Sequence, residues 1–124
     1  MASLAQHNAD CQKWLGETWE PVNVWMDELF ATYGSKHRKH RHHMEGIEEA
    51  RGLFGETGAL AAAIHILRDC RSIPSKADYE REVVDSLGIP RDLDFAEYMK
   101  REEENFEGLV RKLLYGADHP RFQT

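Results

Sequence analysis

Apolar residues recur along the chain at the three-to-four spacing of amphipathic helices, and single Gly, Pro and Ser residues punctuate the pattern. Ser3 is placed to cap a first helix to about Leu15, whose face carries Leu4, His7 or Asn8, Cys11, Trp14 and Leu15; Gly16 ends it. Pro21 suits the first position of a second helix, with Val22, Trp25, Met26, Leu29, Phe30 and Tyr33 as its stripe. Gly34 breaks that helix, and Ser35 is a good N-cap for a third over 36–54. The short turn 55–58 leads into 59–70, which is apolar nearly all round and so reads as central. Ile73-Pro74 closes it. Ser75 with Asp78 resembles a capping box for a helix through Leu87, and a last amphipathic helix spans 95–115. The expected fold is all-α: a single-domain bundle of five to six helices, residues 1–124, built around the antiparallel pair 36–54 and 59–70.

A chain of 124 residues buries about two-thirds of its unfolded surface, enough for one real core. Its 16 Lys+Arg against 22 Asp+Glu give a net charge of −6, which argues against a dedicated DNA binder. Two distant cysteines are no disulfide framework, and no apolar run approaches the ~18 residues that cross a membrane. The N-terminus lacks the basic start and apolar run of a signal peptide, so a cytoplasmic protein without membrane contact is the expectation.

Against that background, the placement of the histidines is anomalous. Four of seven fall within 36–47, and a fifth, His65, stands in the most apolar helix. In a continuous helix 36–54, His40 and His43 extend the stripe of Ile47, Ala50 and Phe54, His37 lies at its margin, and His42 points away toward Arg38, Glu45 and Glu49. On the facing helix, His65, Arg68 and Asp69 share one side. Counting ~1.5 Å per residue from the turn puts Asp69 level with His43 or Met44. The expected constellation is therefore a metal site of His43, His65, Asp69 and His37, with His42, Glu45 and Asp27 around it. Imidazole and carboxylate suit Zn, Fe, Mn or Ni. The metal-free alternative is a His–Asp pair satisfied by hydrogen bonding inside the core, since each group buried alone costs about 1–3 kcal/mol. No nucleophile or oxyanion donor is recognisable nearby, so no enzymatic reaction is specified.

Trp25 and Asp27, then His37, Arg38, Arg41, His42, His43, Glu45, Gly46 and Ile47, Phe54 and Gly55, His65 and Asp69, and finally Ile73, Pro74, Ser75, Asp78 and Tyr79 follow one another in a distinctive order. In this the chain resembles an uncharacterised family of small phage and bacterial proteins, over about residues 5–80. The resemblance implies no activity, and it leaves 85–116 as a C-terminal helical extension.

Two further classes of function fit the sequence. Ser35, Lys36, Arg38, Lys39 and Arg41 at a basic helix start, 35–43, can attract a phosphate-bearing ligand or nucleic acid. Three Trp, five Phe and a long amphipathic last helix allow a homodimer or a phage-type interaction and oligomerisation module, with Trp14 and Trp19 the residues whose exposure would mark it.

Overall fold

The computed structural model describes residues 2–80 and 95–116. It is an all-α bundle, and among the described residues there is no strand. Helix α1 covers Leu4–Leu15 and α2 covers Glu20–Asp27; α3 is the short Phe30–Tyr33, followed by a 3₁₀ turn at Gly34–His37 and by α4, Arg38–Arg41. Helix α5 spans Met44–Cys70, α6 Lys76–Glu80 and α7 Phe95–Tyr115. Of the helix expected over 75–87, the part beyond residue 80 lies outside the described residues, as do Pro90, Asp92 and Asp94.

Local chemistry sets the ends. Ser3 Oγ accepts the Gln6 N–H, and Gly16 leaves α1 in the left-handed conformation at φ 86°. Ser75 and Asp78 form the reciprocal box: Asp78 Oδ2 accepts the Ser75 N–H and Ser75 Oγ the Asp78 N–H. Glu45 Oε2 accepts the Lys76 N–H in the same turn.

Two expected helices are broken. The stretch from Pro21 stops at Asp27 and resumes as α3, which buries nothing, so Phe30 and Tyr33 are exposed rather than core. The helix expected over 36–54 starts only at Met44. His43 has extended backbone, and its Nδ1 accepts the Gly46 N–H at 2.9 Å, making the imidazole the N-cap of α5. Gly46 is needed there, because a Cβ would lie 1.9 Å from the Arg41 carbonyl oxygen.

Helix α5 is two arms. A straight helix of 27 residues would be ~40 Å long. Yet His42, just before its start, touches Asp69 near its end, at 3.1 Å. The chain therefore reverses at Gly55, whose φ of 85° and ψ of −176° no helix contains. The antiparallel pair is present, with arms 44–54 and 56–70 and a one-residue hinge instead of a four-residue loop.

The second arm is the hub. Ala61, Ala62 and Ile66 pack with Cys11, Val22, Met26 and Ala50, while Ile64 and Leu67 pack with Phe106, Val110 and Leu114 of α7. Arg68 forks onto Asp10 of α1 and reaches Glu103 of α7. Phe106, Leu109, Val110, Leu113 and Leu114 of α7 are thus used within the chain, and Trp14 and Trp19 are half-buried against the two clusters. These described residues give no support to a homodimer. No described helix is long and apolar enough to cross a membrane.

Gly46→Ala is expected to lower stability by roughly 3 kcal/mol, since the clash is with backbone that cannot give way. Gly52→Ala, in the same arm with nothing within 4 Å of the added methyl, should raise it by about 0.5–1 kcal/mol. Urea unfolding of the two variants checks both signs.

Candidate metal centre

Beneath these clusters the bundle buries an unusual set of polar side chains: His7, Asp10, Asn23, His37, His42, His43, His65 and Asp69. Seven residues, His7, Asn23, Asp27, His37, His42, His65 and Asp69, make one connected network. Its centre is a quartet. One ligand atom each from Asp27, His42, His65 and Asp69 lies within 4.8 Å of every other.

The four edges of the quartet are short. His42 Nε2 is 3.1 Å from Asp69 Oδ2 and 3.4 Å from Asp27 Oδ1; His65 Nε2 is 3.2 Å from Asp27 Oδ1 and 3.4 Å from Asp69 Oδ2. An ion held at about 2.0–2.2 Å by nitrogen and oxygen has neighbouring donors roughly 3.0–3.5 Å apart. The separations match the edges of such a coordination shell.

The surroundings decide which way the rings face. Asn23 Nδ2 donates to Asn8 Oδ1 and the Thr18 carbonyl, which turns Asn23 Oδ1 toward His65 Nδ1 at 3.0 Å. His65 Nδ1–H therefore donates to Asn23, and in the neutral ring Nε2 presents a lone pair to the two carboxylates. Both ring nitrogens of His37 face acceptors: Nδ1 is 2.8 Å from the Gly34 carbonyl oxygen and Nε2 3.0 Å from Asp27 Oδ1. His7 stacks flat on His65, centroids 3.4 Å apart, with Nε2 3.3 Å from the far oxygen of Asp69. That oxygen also accepts the Ala2 N–H. Among the described residues, Nδ1 of His7 and Nδ1 of His42 have no hydrogen-bond partner.

Electrostatics follow from the burial. Desolvation alone would raise both carboxyls, but hydrogen bonds from His42 and His65, joined at Asp69 by His7, outweigh it and hold Asp27 and Asp69 far below the ordinary range. Burial opposes charge on His65, yet the two carboxylates win and its pKa is raised. For His7 burial wins over Asp69 and the pKa falls; His43 is lowered by burial as well.

The residues picked out by sequence divide accordingly. His65 and Asp69 are in the quartet, and His37 adjoins it at Asp27. Asp27 and His42, expected in the surroundings, are in the quartet itself. His43 is not: its Nδ1 caps α5, and its Nε2–H donates to the Lys39 carbonyl at 3.0 Å. The break at 42–43 turns His42 inward, where a continuous helix would have pointed it out. Glu45 serves the α6 turn instead. His7 and Asn23 were not singled out as site residues. Their signal was a polar residue on an otherwise apolar face, which for His7 the helix periodicity does indicate.

The basic segment differs from a helix start able to hold an anion. Residues 34–37 are a 3₁₀ turn and α4 has four residues, so no long helix aligns its N–H groups there. Lys36 and Lys39 are exposed and Arg38 half-buried, whereas Arg41 donates to the Trp25 carbonyl and Glu28 and lies over the Trp25 ring. The side chain of Ser35 lies outside the described residues.

An all-α bundle with a buried His/Asp cluster able to hold a metal is thus the class of protein that fold and site define. The chain belongs to the family described as Domain of unknown function (DUF6915), whose model matches residues 2–87. No curated protein and no solved structure matches it.

In chelator-treated protein, the depressed carboxyls contribute stability that is present above their unfolded pKa of 3.8 and lost as pH falls through and below it. His65, raised above 6.5, contributes stability present below 6.5 and lost as pH climbs through its folded value; His7, lowered, contributes with the opposite sign. Urea midpoints taken across pH should therefore fall on the acid side, less so in Asp69→Asn. Their alkaline decline should be smaller in His65→Gln.

Proposed function

We propose that this domain binds one divalent transition metal ion through Asp27 Oδ1, His42 Nε2, His65 Nε2 and Asp69 Oδ2, with His37 and His7 flanking it. The observation that carries the reading is the convergence on Asp27 Oδ1. Three ring nitrogens, from His37, His42 and His65, lie 3.0–3.4 Å from this single oxygen. An oxygen has two lone pairs, so three N–H donors cannot all be accommodated. Replacing protons by an ion among these atoms relieves the crowding and neutralises both carboxylates at once.

Two imidazoles and two carboxylates favour zinc, iron, manganese or nickel over calcium or magnesium. Four protein donors in a site where the His42, His65 and Asp69 side chains are 0% exposed, and Asp27 only 21%, fit a closed structural centre better than a catalytic one with an open position. Zinc is the first candidate.

Protein expressed without a histidine tag should carry one metal per chain by elemental analysis. His42→Ala and Asp69→Asn should lose it. His43→Ala should keep it while losing about 1 kcal/mol of stability, as expected of a helix cap. Sub-stoichiometric metal throughout, or loss in His43→Ala with retention in His42→Ala, would overturn the assignment. Binding near neutral pH should also release protons, seen as a dependence of the calorimetric heat on the ionisation enthalpy of the buffer.

A further inference from the structure

Residues 28–43 run over the outside of the bundle from the end of α2 to the start of α5. Among their described side chains only His37, His42 and His43 are buried. Neither apolar cluster contains a residue of this segment. Within it Tyr33 stacks on His40 and Phe30 sets its edge against His37, while His42 meets the His65 ring, His43 the Tyr79 ring, and Arg41 lies over the Trp25 ring. Among the described residues its hydrogen bonds to the body are few. They are His37 to Asp27, His42 to Asp69, Arg41 to the Trp25 carbonyl, and the Tyr79 hydroxyl to the His42 carbonyl at 2.7 Å. At the far end, Met44 N–H donates to the Pro74 carbonyl.

With no side chain in either apolar cluster, a segment of this length owes much of what offsets the entropy of its ordering to polar ties, the deepest toward the quartet being those of His37 and His42. Both of those end on the carboxylates of the proposed centre. We infer that residues 28–43 form a strap closed by the metal ion: occupied, the centre holds His42 as a ligand and His37 against Asp27; emptied, it releases the strap while α1, α2, α7 and the second arm of α5 stay packed. The inference rests on the metal reading above and adds to it where the ion's effect falls. It makes metal supply the control over a strap that carries Lys36, Arg38, Lys39 and Arg41.

The segment-by-segment packing predicts a contrast within one molecule. The two apolar clusters join α1, α2, α5 and α7 without the strap, so their amide protection does not require the centre.

The test is hydrogen exchange on the full chain, chelator-treated and then reloaded with zinc chloride, with metal content measured on the same samples by native mass spectrometry. With zinc bound one to one, peptides covering 30–42 should exchange about tenfold more slowly than in the metal-free protein, while those in 59–67 and 106–114 change less than about twofold. Trypsin should likewise cut after Lys36, Arg38 or Lys39 faster in the metal-free protein. Tyr79→Phe, which removes a strap tie without touching a ligand, should speed exchange over 38–42 and still bind zinc. One-to-one zinc with unchanged exchange over 30–42, or protection rising equally along the whole chain, overturns the strap and leaves the metal reading standing. Failure to take up zinc, iron, manganese or nickel overturns both.

Discussion

Two carboxylates, Asp27 and Asp69, meet in the interior and must be matched by positive charge there, and the rest of the architecture is arranged around that requirement. A buried carboxylate left alone costs several kcal/mol and would instead take up a proton. Here neither is left alone, because His42 and His65 lie within 3.4 Å of both. The match is possible only because residues far apart in sequence reach one point: His7 from α1, Asp27 from α2, His42 from the turn before α5, and His65 and Asp69 from its second arm. Each of these elements is thereby placed by the same electrostatic demand, in addition to whatever apolar surface it buries.

Backbone devices make the convergence geometrically possible. Gly55 reverses α5 within one residue, which brings its start beside its end. Gly46 lets the Arg41 carbonyl approach the first turn of α5 closely enough for the chain to fold over itself. The His43 cap then ends one helical segment and begins another, and that break rotates His42 to the inside. The polar second layer is similarly interlocked: Asn8 and the Thr18 carbonyl orient Asn23, Asn23 orients His65, and the Gly34 carbonyl orients His37.

Periodicity made much of this legible. The i, i+4 pair His65 and Asp69, the apolar arm that carries it, the antiparallel partner and the caps at Ser3, Gly16 and Ser75 are all consequences of local spacing and side-chain type. What eluded the pattern was non-local or depended on a single residue. In a continuous helix, residues 42 and 43 face directions 100° apart. An imidazole acting as an N-cap is outside the usual Ser, Thr, Asp and Asn set. Local spacing therefore predicts a helix running through His43, and in the structure the two neighbouring histidines take each other's expected roles. Phe30 and Tyr33 misled for a related reason: they keep the helical spacing of Val22 and Met26, but the interruption at 28–29 takes them off the buried face. Asp27 follows Trp25 and Met26 directly, but local spacing does not mark it as interior, since what covers it is a set of histidines distant in sequence.

The manner in which the strap is attached has a physical consequence of its own. Leucines at 37 and 42, with the carboxylates they face made apolar too, would serve packing at least as well, because replacing whole buried charge pairs by apolar side chains is often neutral or stabilising. Apolar anchors, however, hold under nearly all conditions in which the core holds, and they tolerate sliding by fractions of a turn. Imidazoles that must meet particular carboxylate oxygens hold only in one register and only when their charge is balanced, by protons or by an ion. A segment whose sole deep contacts are of that kind is coupled to solution composition, whereas the arms packed through Ile64, Ile66, Phe106 and Val110 are not. The division between a conditional layer and an unconditional core is therefore written in side-chain type, and it follows the boundary between the His/Asp network and the two apolar clusters.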